Sequence, residues 1–332
     1  MNNTHQYKEA EFWTRDGESI TCHLCPHTCT LHTGQTGLCG VRIYSNDVLL
    51  STIYGFPSAM QVDPIEKKPL YHFLPGTNTF SIGTRGCSLS CKFCQNWHLS
   101  ARKGHDTVWV SPEHIVKKAV QTNCKSIAFT YNEPVVFSEY AMAIQVLAEE
   151  AGLPCIFVTN GFITPEAREQ VFKKLRAVNI DLKAFSESLY TEYTGGSLHP
   201  VLDTIEWSVR QGIHTEITTL LIPGVNDDEQ MIKKECQWIV KHCGTDIPLH
   251  LSAFHPAYKM KDYPMTSRYI LERSKQIAED CGLQYVYVGN YPGFDNSTYC
   301  PVCGEKIIDR NSYHINISTP HEHKIPIIWS LS

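Results

Sequence analysis

Arg85-Gly-Cys-Ser-Leu-Ser-Cys-Lys-Phe-Cys-Gln-Asn-Trp-His-Leu99 is the stretch on which the reading of the whole chain turns. Cys87, Cys91 and Cys94 fall there at spacing C-x3-C-x2-C, with no fourth cysteine nearby. Three thiolates bind soft metals and can wrap one face of an iron–sulfur cube, which leaves one iron open to a small molecule. A zinc site completed by His98 would use the same thiolates and stays open on spacing alone. The apolar run Thr79-Phe-Ser-Ile-Gly83 leads into the loop. It reads as a strand, so the cysteines stand at a strand's C-terminal end, where a barrel enzyme places its chemistry.

Working outward, the same strand opens a series. Strand candidates cover 79–84, 126–131, 155–160, 177–183, 214–222, 248–254 and 285–289. Helical patterns lie between them: one opening at Ser111-Pro-Glu, the others at 134–151, 164–175, 201–211, 227–242 and 266–281. Ser111, Asp227 and Thr266 are the expected N-caps, and Pro112 suits a first helical position. This alternation predicts an α/β fold with a parallel sheet and right-handed crossovers. Near-continuous apolar strands such as Ile156-Phe-Val158 suit burial on both faces. Arg85, Asn132, Glu133, Asn160, Asp181, Lys183 and His255 recur at strand C-termini, as at the mouth of a barrel. Six or seven strands are too few to close one, so a partial, open TIM-like β/α barrel is expected over residues 76–290.

Two cysteine-bearing extensions flank that barrel. Residues 1–75 read as a β-rich region with short strands at 48–54 and 58–62, and residues 291–332 as a tail with a Cys300-Pro-Val-Cys303-Gly knuckle. The chain has 332 residues, 42% hydrophobic and 19% charged, with a net charge of −5. Thinly spread Lys and Arg make nucleic acid a poor partner. No apolar run is long enough to span a bilayer, and Met1 to Lys8 lacks the apolar core of a secretory signal, so a cytoplasmic protein is expected. Fourteen cysteines are abnormal for such a chain. In a reducing compartment, clustered thiols point to metal rather than to disulfides. Cys124, Cys155, Cys236, Cys243 and Cys281 are scattered and read as small hydrophobes.

The loop resembles the radical S-adenosylmethionine (radical SAM) superfamily, whose C-x3-C-x-aromatic-C motif is matched by Cys87, Cys91, Phe93 and Cys94. The resemblance implies a [4Fe–4S] cluster on the three cysteines, with SAM chelating the open iron. One electron from a low-potential donor of the flavodoxin or ferredoxin type would then release a 5′-deoxyadenosyl radical that takes a hydrogen atom from substrate. Phe93 would pack near the adenine. The chain is also similar to activating enzymes of glycyl radical proteins, including pyruvate formate-lyase activators. Tyr131-Asn132-Glu133-Pro134 stands in place of their G-G-E-P turn, which binds the SAM amino group. Thr159-Asn160-Gly161 and Asp181-Leu-Lys183 match their T-N-G and D-L-K strands, and Leu221 to Asp227 matches a P-G-x-x-D turn. His255 matches a histidine near the adenine. The narrowest match is the AmmeMemoRadiSam system radical SAM enzyme family, through C-x2-C-P-x2-C, G-x2-G-x-C-G-V-R, C-Q-N-W-x-L-S, Y-N-E-P and C-P-x-C-G. That resemblance implies Memo-type and AMMECR-type proteins as associates and leaves the substrate undefined.

Cys22, Cys25, Cys29 and Cys39 suit zinc or a second iron–sulfur cluster. In a rival arrangement Cys22 and Cys25 join Cys300 and Cys303 in a split zinc ribbon. His23, His27, His32, His321 and His323 are spare ligands. Three functions therefore stand at this point. One is a radical SAM enzyme acting on a small molecule or a partner-bound substrate. The second is an activase taking hydrogen from a glycine of a partner protein. The third is a zinc-binding interaction protein without catalysis.

Overall fold

The computed structural model describes residues 7–101, 107–311, 314–318 and 321–330. Part of the N-terminal stretch used to argue against export, Met1 to Gln6, lies outside them. The centre is an eight-stranded sheet: β1 (Ala59–Pro64), β2 (Asn78–Gly83), β3 (Ser126–Phe129), β4 (Cys155–Thr159), β5 (Leu175–Asp181), β6 (His214–Leu221), β7 (Leu249–Ala253) and β8 (Val286–Gly289). The strands lie side by side in chain order. From β2 to β8 every pair is parallel, and β1 runs antiparallel to β2. β1 and β8 are not paired to each other, so the barrel is open.

Helices connect the parallel strands, and their starts follow side-chain chemistry. The Ser111 and Thr164 side chains accept the amides of His114 and Ala167, each ahead of a proline in the first turn. Two expected caps shift by one residue. Asp228 and Ser267 cap their helices, while Asp227 instead accepts the Gly224 amide at 2.8 Å. Thr266 is buried, accepts the Phe254 amide at 2.8 Å and donates to the Leu221 carbonyl at 2.6 Å. It ties together the ends of β6 and β7. The helix Glu187–Thr194 had no strong periodic signal and was not expected.

The extensions are less separate than expected. The strand placed at 58–62 in a small N-terminal unit is β1, and it joins the central sheet through six paired residues. Ile20, Val41 and Leu49 from the N-terminal region share one continuous core with barrel residues such as Phe129 and Phe157. At the N-terminal end of the barrel, Phe73 and Leu70 pack against Ala128, Ile156 and Ala177. Two alanines on β3 and β5, either side of Ile156 on β4, leave room for the Phe73 ring, so this end is plugged rather than open. The C-terminal region is a three-stranded antiparallel sheet of Thr298–Tyr299, Lys306–Asn311 and His314–Ile317. Among the described residues no helix is long and apolar enough to cross a membrane.

Candidate active site

The loop after β2 is fixed from three sides. Gly83 approaches the Thr130 carbonyl so closely that a Cβ would sit 2.5 Å from it. Gly86 has φ of +84°, and a Cβ there would lie 2.6 Å from the Cys39 carbonyl oxygen. Only glycine meets both demands at that position. On the far side, the Ser90 and Lys92 amides donate to the Thr194 and Tyr193 carbonyls at 2.7 and 2.8 Å. The unexpected helix Glu187–Thr194 thus holds the middle of the cysteine loop.

Asn132 supplies the third support. Its side-chain oxygen accepts the Thr84 amide at 2.9 Å, and its nitrogen donates to the Thr84 hydroxyl at 3.1 Å and the Gly86 carbonyl at 2.9 Å. Tyr131 takes the left-handed conformation that glycine favours, at φ of +72°. The ring of Tyr131 swings to β1, where its hydroxyl donates to Asp63 at 2.6 Å. Lys68 donates to the same carboxylate at 2.7 Å. Burial would raise the Asp63 carboxyl, but the bonds from Lys68 and Tyr131 hold it down at about 2.

Cys87, Cys91 and Cys94 line one cavity of about 430 Å³ at the C-terminal ends of the strands. Phe93, Asn132, Glu133, Asn160, Asp181 and Lys183 line it too. Nine of the ten proposed site residues are therefore brought together. His255 is not: it is exposed, its ring bonds to the Asn290 carbonyl at 2.9 Å, and it stands outside the cavity wall. Its role as a loop residue ahead of a proline explains the placement. His98, the fourth ligand of the zinc alternative, is also exposed and outside that wall.

The charged groups are arranged in two layers. Lys183 donates to Asp181 at 3.0 Å and lies 5.9 Å from the Phe93 ring centre. Burial disfavours its charge, yet Asp181 and Cys91 hold the ammonium well above its ordinary range. The Lys183 carbonyl is fixed in turn by Asn226, which donates to it at 3.0 Å from the Leu221–Asp227 turn. Glu133 is fully enclosed. It accepts from the Thr159 hydroxyl at 2.6 Å, the Asn160 amide at 2.8 Å and the Val135 amide at 3.0 Å. Burial still pushes its carboxyl up to about 7. The Asn160 side-chain nitrogen donates to the Ser88 hydroxyl at 3.2 Å and points toward the Cys87 sulfur at 3.7 Å. Burial raises the Cys87 thiol, with Glu133 adding to the effect, and pushes Cys91 up to about 12. Neutral thiols in such a setting become good ligands when a metal supplies the positive charge.

The donor set suits an iron–sulfur cluster that binds a small molecule. Three sulfurs face one cavity, and among the described residues that cavity has no further cysteine or histidine in its wall. Beside Tyr131 of the Tyr-Asn-Glu-Pro turn, Asp63 and Lys68 are functional candidates that the sequence did not reveal. They meet through the antiparallel pairing of β1 with β2, which leaves no local pattern.

The other cysteines separate into two groups. Cys22, Cys25, Cys29 and Cys39 line one pocket with Arg42. Arg42 is buried, ion-paired with Glu139, and its Nη1 lies 3.7 Å from the Cys22 sulfur. His27 reaches the Ser88 carbonyl at 2.8 Å, so this pocket backs directly onto the cysteine loop. Cys300 and Cys303 are grouped instead with His321 and His323. The split ribbon joining Cys22 and Cys25 to Cys300 and Cys303 is thus corrected. Cys22 and Cys25 lie behind the cysteine loop at the mouth, whereas the C-terminal sheet is tied to β8 by the Thr298–Tyr287 hydroxyl contact at 2.7 Å and its tail to His72 and Leu74 beside the Phe73 plug.

Comparison with known proteins follows the same lines. The sequence model of the Radical SAM superfamily matches residues 81–236. The chain is 37% identical over 314 residues to the uncharacterized protein MJ0808 of Methanocaldococcus jannaschii, covering 93% of each. It is 27% identical over 165 residues to the putative glycyl-radical enzyme activating enzyme MJ1632 of the same organism, across 47% of this chain and 61% of that one. Among solved structures, a radical SAM methyltransferase from Sphaerobacter thermophilus overlays with a TM-score of 0.51 at 17% identity, covering 66% of this chain and 68% of that one. At that identity the overlay speaks for the fold.

Proposed function

This chain belongs to the radical SAM superfamily, and from that premise we propose that Cys87, Cys91 and Cys94 hold its [4Fe–4S] cluster and that SAM fills the adjoining cavity. The superfamily's cofactors are that cluster and SAM. The observation that carries the assignment is the convergence of three loop sulfurs with Asn160, Glu133 and the Lys183–Asp181 pair on one cavity wall. When bound, the cofactors would supply radical chemistry able to take a hydrogen atom from a substrate.

The chain's own residues do the positioning. Asn132 locks the loop to the end of β2, so the three sulfurs hold their places. Lys183 places a buried positive charge near Cys91 and offsets the negative charge of metal-bound thiolates. Glu133 orders Asn160, whose amide then addresses the Cys87 sulfur. Phe93 offers an apolar face beside Lys183 for a flat ring. Thr218, Ser252 and Asn290 complete the wall on the β6–β8 side and present polar groups to a substrate.

The substrate is a small molecule or a partner-bound molecule, with a low-potential flavodoxin or ferredoxin as electron donor. The alternative, a glycine on a partner protein, draws support from the likeness to MJ1632. Membership in a family of enzymes goes against a purely non-catalytic zinc module. Association with Memo-type and AMMECR-type proteins rests on the flanking cysteine signatures. The support for a second metal centre on Cys22, Cys25, Cys29 and Cys39 is their shared pocket against the cluster loop. The test of substrate class is anaerobic turnover in cell extract with deuterium followed into 5′-deoxyadenosine. Label from a diffusible fraction supports the first reading; a stable glycyl radical on another chain, seen by electron paramagnetic resonance, replaces it with the second.

A further inference from the structure

We infer that Cys300, Cys303, His321 and His323 form a closed zinc site that clamps the C-terminal segment across the N-terminal end of the barrel. The two sulfurs and one ring nitrogen of each histidine all lie within 4.8 Å of one another. The Cys300 sulfur stands 3.7 Å from His323 Nδ1, and the Cys303 sulfur 3.9 Å from His321 Nε2. Zinc bonds sulfur at about 2.3 Å and imidazole at about 2.0–2.1 Å, so two such ligands across a tetrahedron stand about 3.6 Å apart. The observed separations are those of ligands around one ion.

Two further features point to a metal. His321 turns its other nitrogen, Nδ1, to the Glu305 carboxylate at 3.1 Å. That contact sets the tautomer that leaves Nε2 free to bind, as carboxylates do for zinc-bound histidines. The cysteine pair is folded as a knuckle. The Gly304 amide donates to the Cys300 carbonyl at 2.9 Å, and the Cys300 amide donates to Glu305 at 2.8 Å. Gly304 makes the turn at φ of +75°. With four protein ligands no coordination position is left for substrate, so the site is structural.

What it holds is visible in the fold. The local core is small: Cys300, Ile307, Ile308 and Ile327, with Ile315 and Ile325 against them. A core of this size needs a staple. Downstream of the histidines, Ile328 donates its amide to the His72 carbonyl at 2.8 Å and accepts the Leu74 amide at 2.7 Å. His321 and His323 therefore anchor the stretch that lies along the Phe73 plug. This inference does not depend on what the barrel's mouth catalyses.

The test is metal analysis on the full chain purified anaerobically. Replacing Cys303 and His321 together by alanine should remove about one zinc per chain and leave the iron unchanged. It should also make residues 291–330 sensitive to limited proteolysis while the barrel stays resistant. An unchanged zinc count, or loss of iron instead, overturns the assignment. Should that variant fail to accumulate, His321→Cys decides. Retained metal, with the cobalt-substituted spectrum moving from two-thiolate to three-thiolate ligation, supports the site; lost metal or an unmoved spectrum overturns it.

Discussion

At the mouth of the barrel Glu133 is buried among neutral donors and its carboxyl is pushed up to about 7. At the foot Glu216, equally buried, is held well below the carboxylate range. Burial would raise it, but His214 and His250 bond to it at 2.9 and 2.6 Å, and the Tyr71 and His72 amides at 3.0 and 2.7 Å. The sulfur sites differ in the same sense. The mouth offers three thiols around an accessible cavity, and the foot offers a complete set of four ligands. One end leaves a coordination position open, which chemistry requires; the other gathers four protein ligands, which favours rigidity. Arg310 links the C-terminal sheet to the foot. It lies over the Tyr71 ring at 4.5 Å and donates to the Tyr71 carbonyl at 2.6 Å and the Thr298 hydroxyl at 2.6 Å.

The contrast can be broken at four points. Glu216→Ala strands two imidazoles and two backbone amides, so denaturant unfolding should show a loss of about 4 kcal/mol with cluster loading per folded chain unchanged. A loss below about 1 kcal/mol would remove the foot's claim to be the rigid end. Next comes pH. Glu133 ionises near 7 when folded against an ordinary value of 4.5. Between those values the folded chain keeps a proton that the unfolded chain has released, so stability falls as pH rises. In metal-free protein the fall is up to about 3 kcal/mol, and Glu133→Gln should remove it. Glu216 has the opposite sign: its contribution is present above about pH 4.5 and is lost on acidification. Asn132→Ala removes three bonds between the turn after β3 and the loop base. It should cost about 2 kcal/mol and lower SAM cleavage more than tenfold, against little change for a foot variant of equal stability. His255→Ala should change SAM cleavage less than twofold and stability by less than about 0.5 kcal/mol, because the residue is exposed and outside the cavity.

Much of the mouth was legible because its residues sit at the ends of β-strands whose apolar runs are easy to see. Asn160 and Asp181 close such runs, and Lys183 stands two residues further on. Asp63 and Lys68 were not legible, since their arrival depends on β1 pairing backward onto β2, a choice made by tertiary contacts. The His partners of Cys300 and Cys303 lie some twenty residues away, and only the fold brings the two together. His255 is the converse case: a strand-end position and a family likeness put it at the site, while its ring is exposed and bonds to the carbonyl of Asn290 on the cavity rim.

The most direct test compares wild-type protein with Cys94→Ala, both reconstituted anaerobically with iron and sulfide and given SAM and a strong reductant. The account predicts 5′-deoxyadenosine from the wild type, none above background from the variant, a loss of about four irons per chain, and an unchanged zinc content. Undiminished SAM cleavage or an unaltered iron count in Cys94→Ala would contradict it.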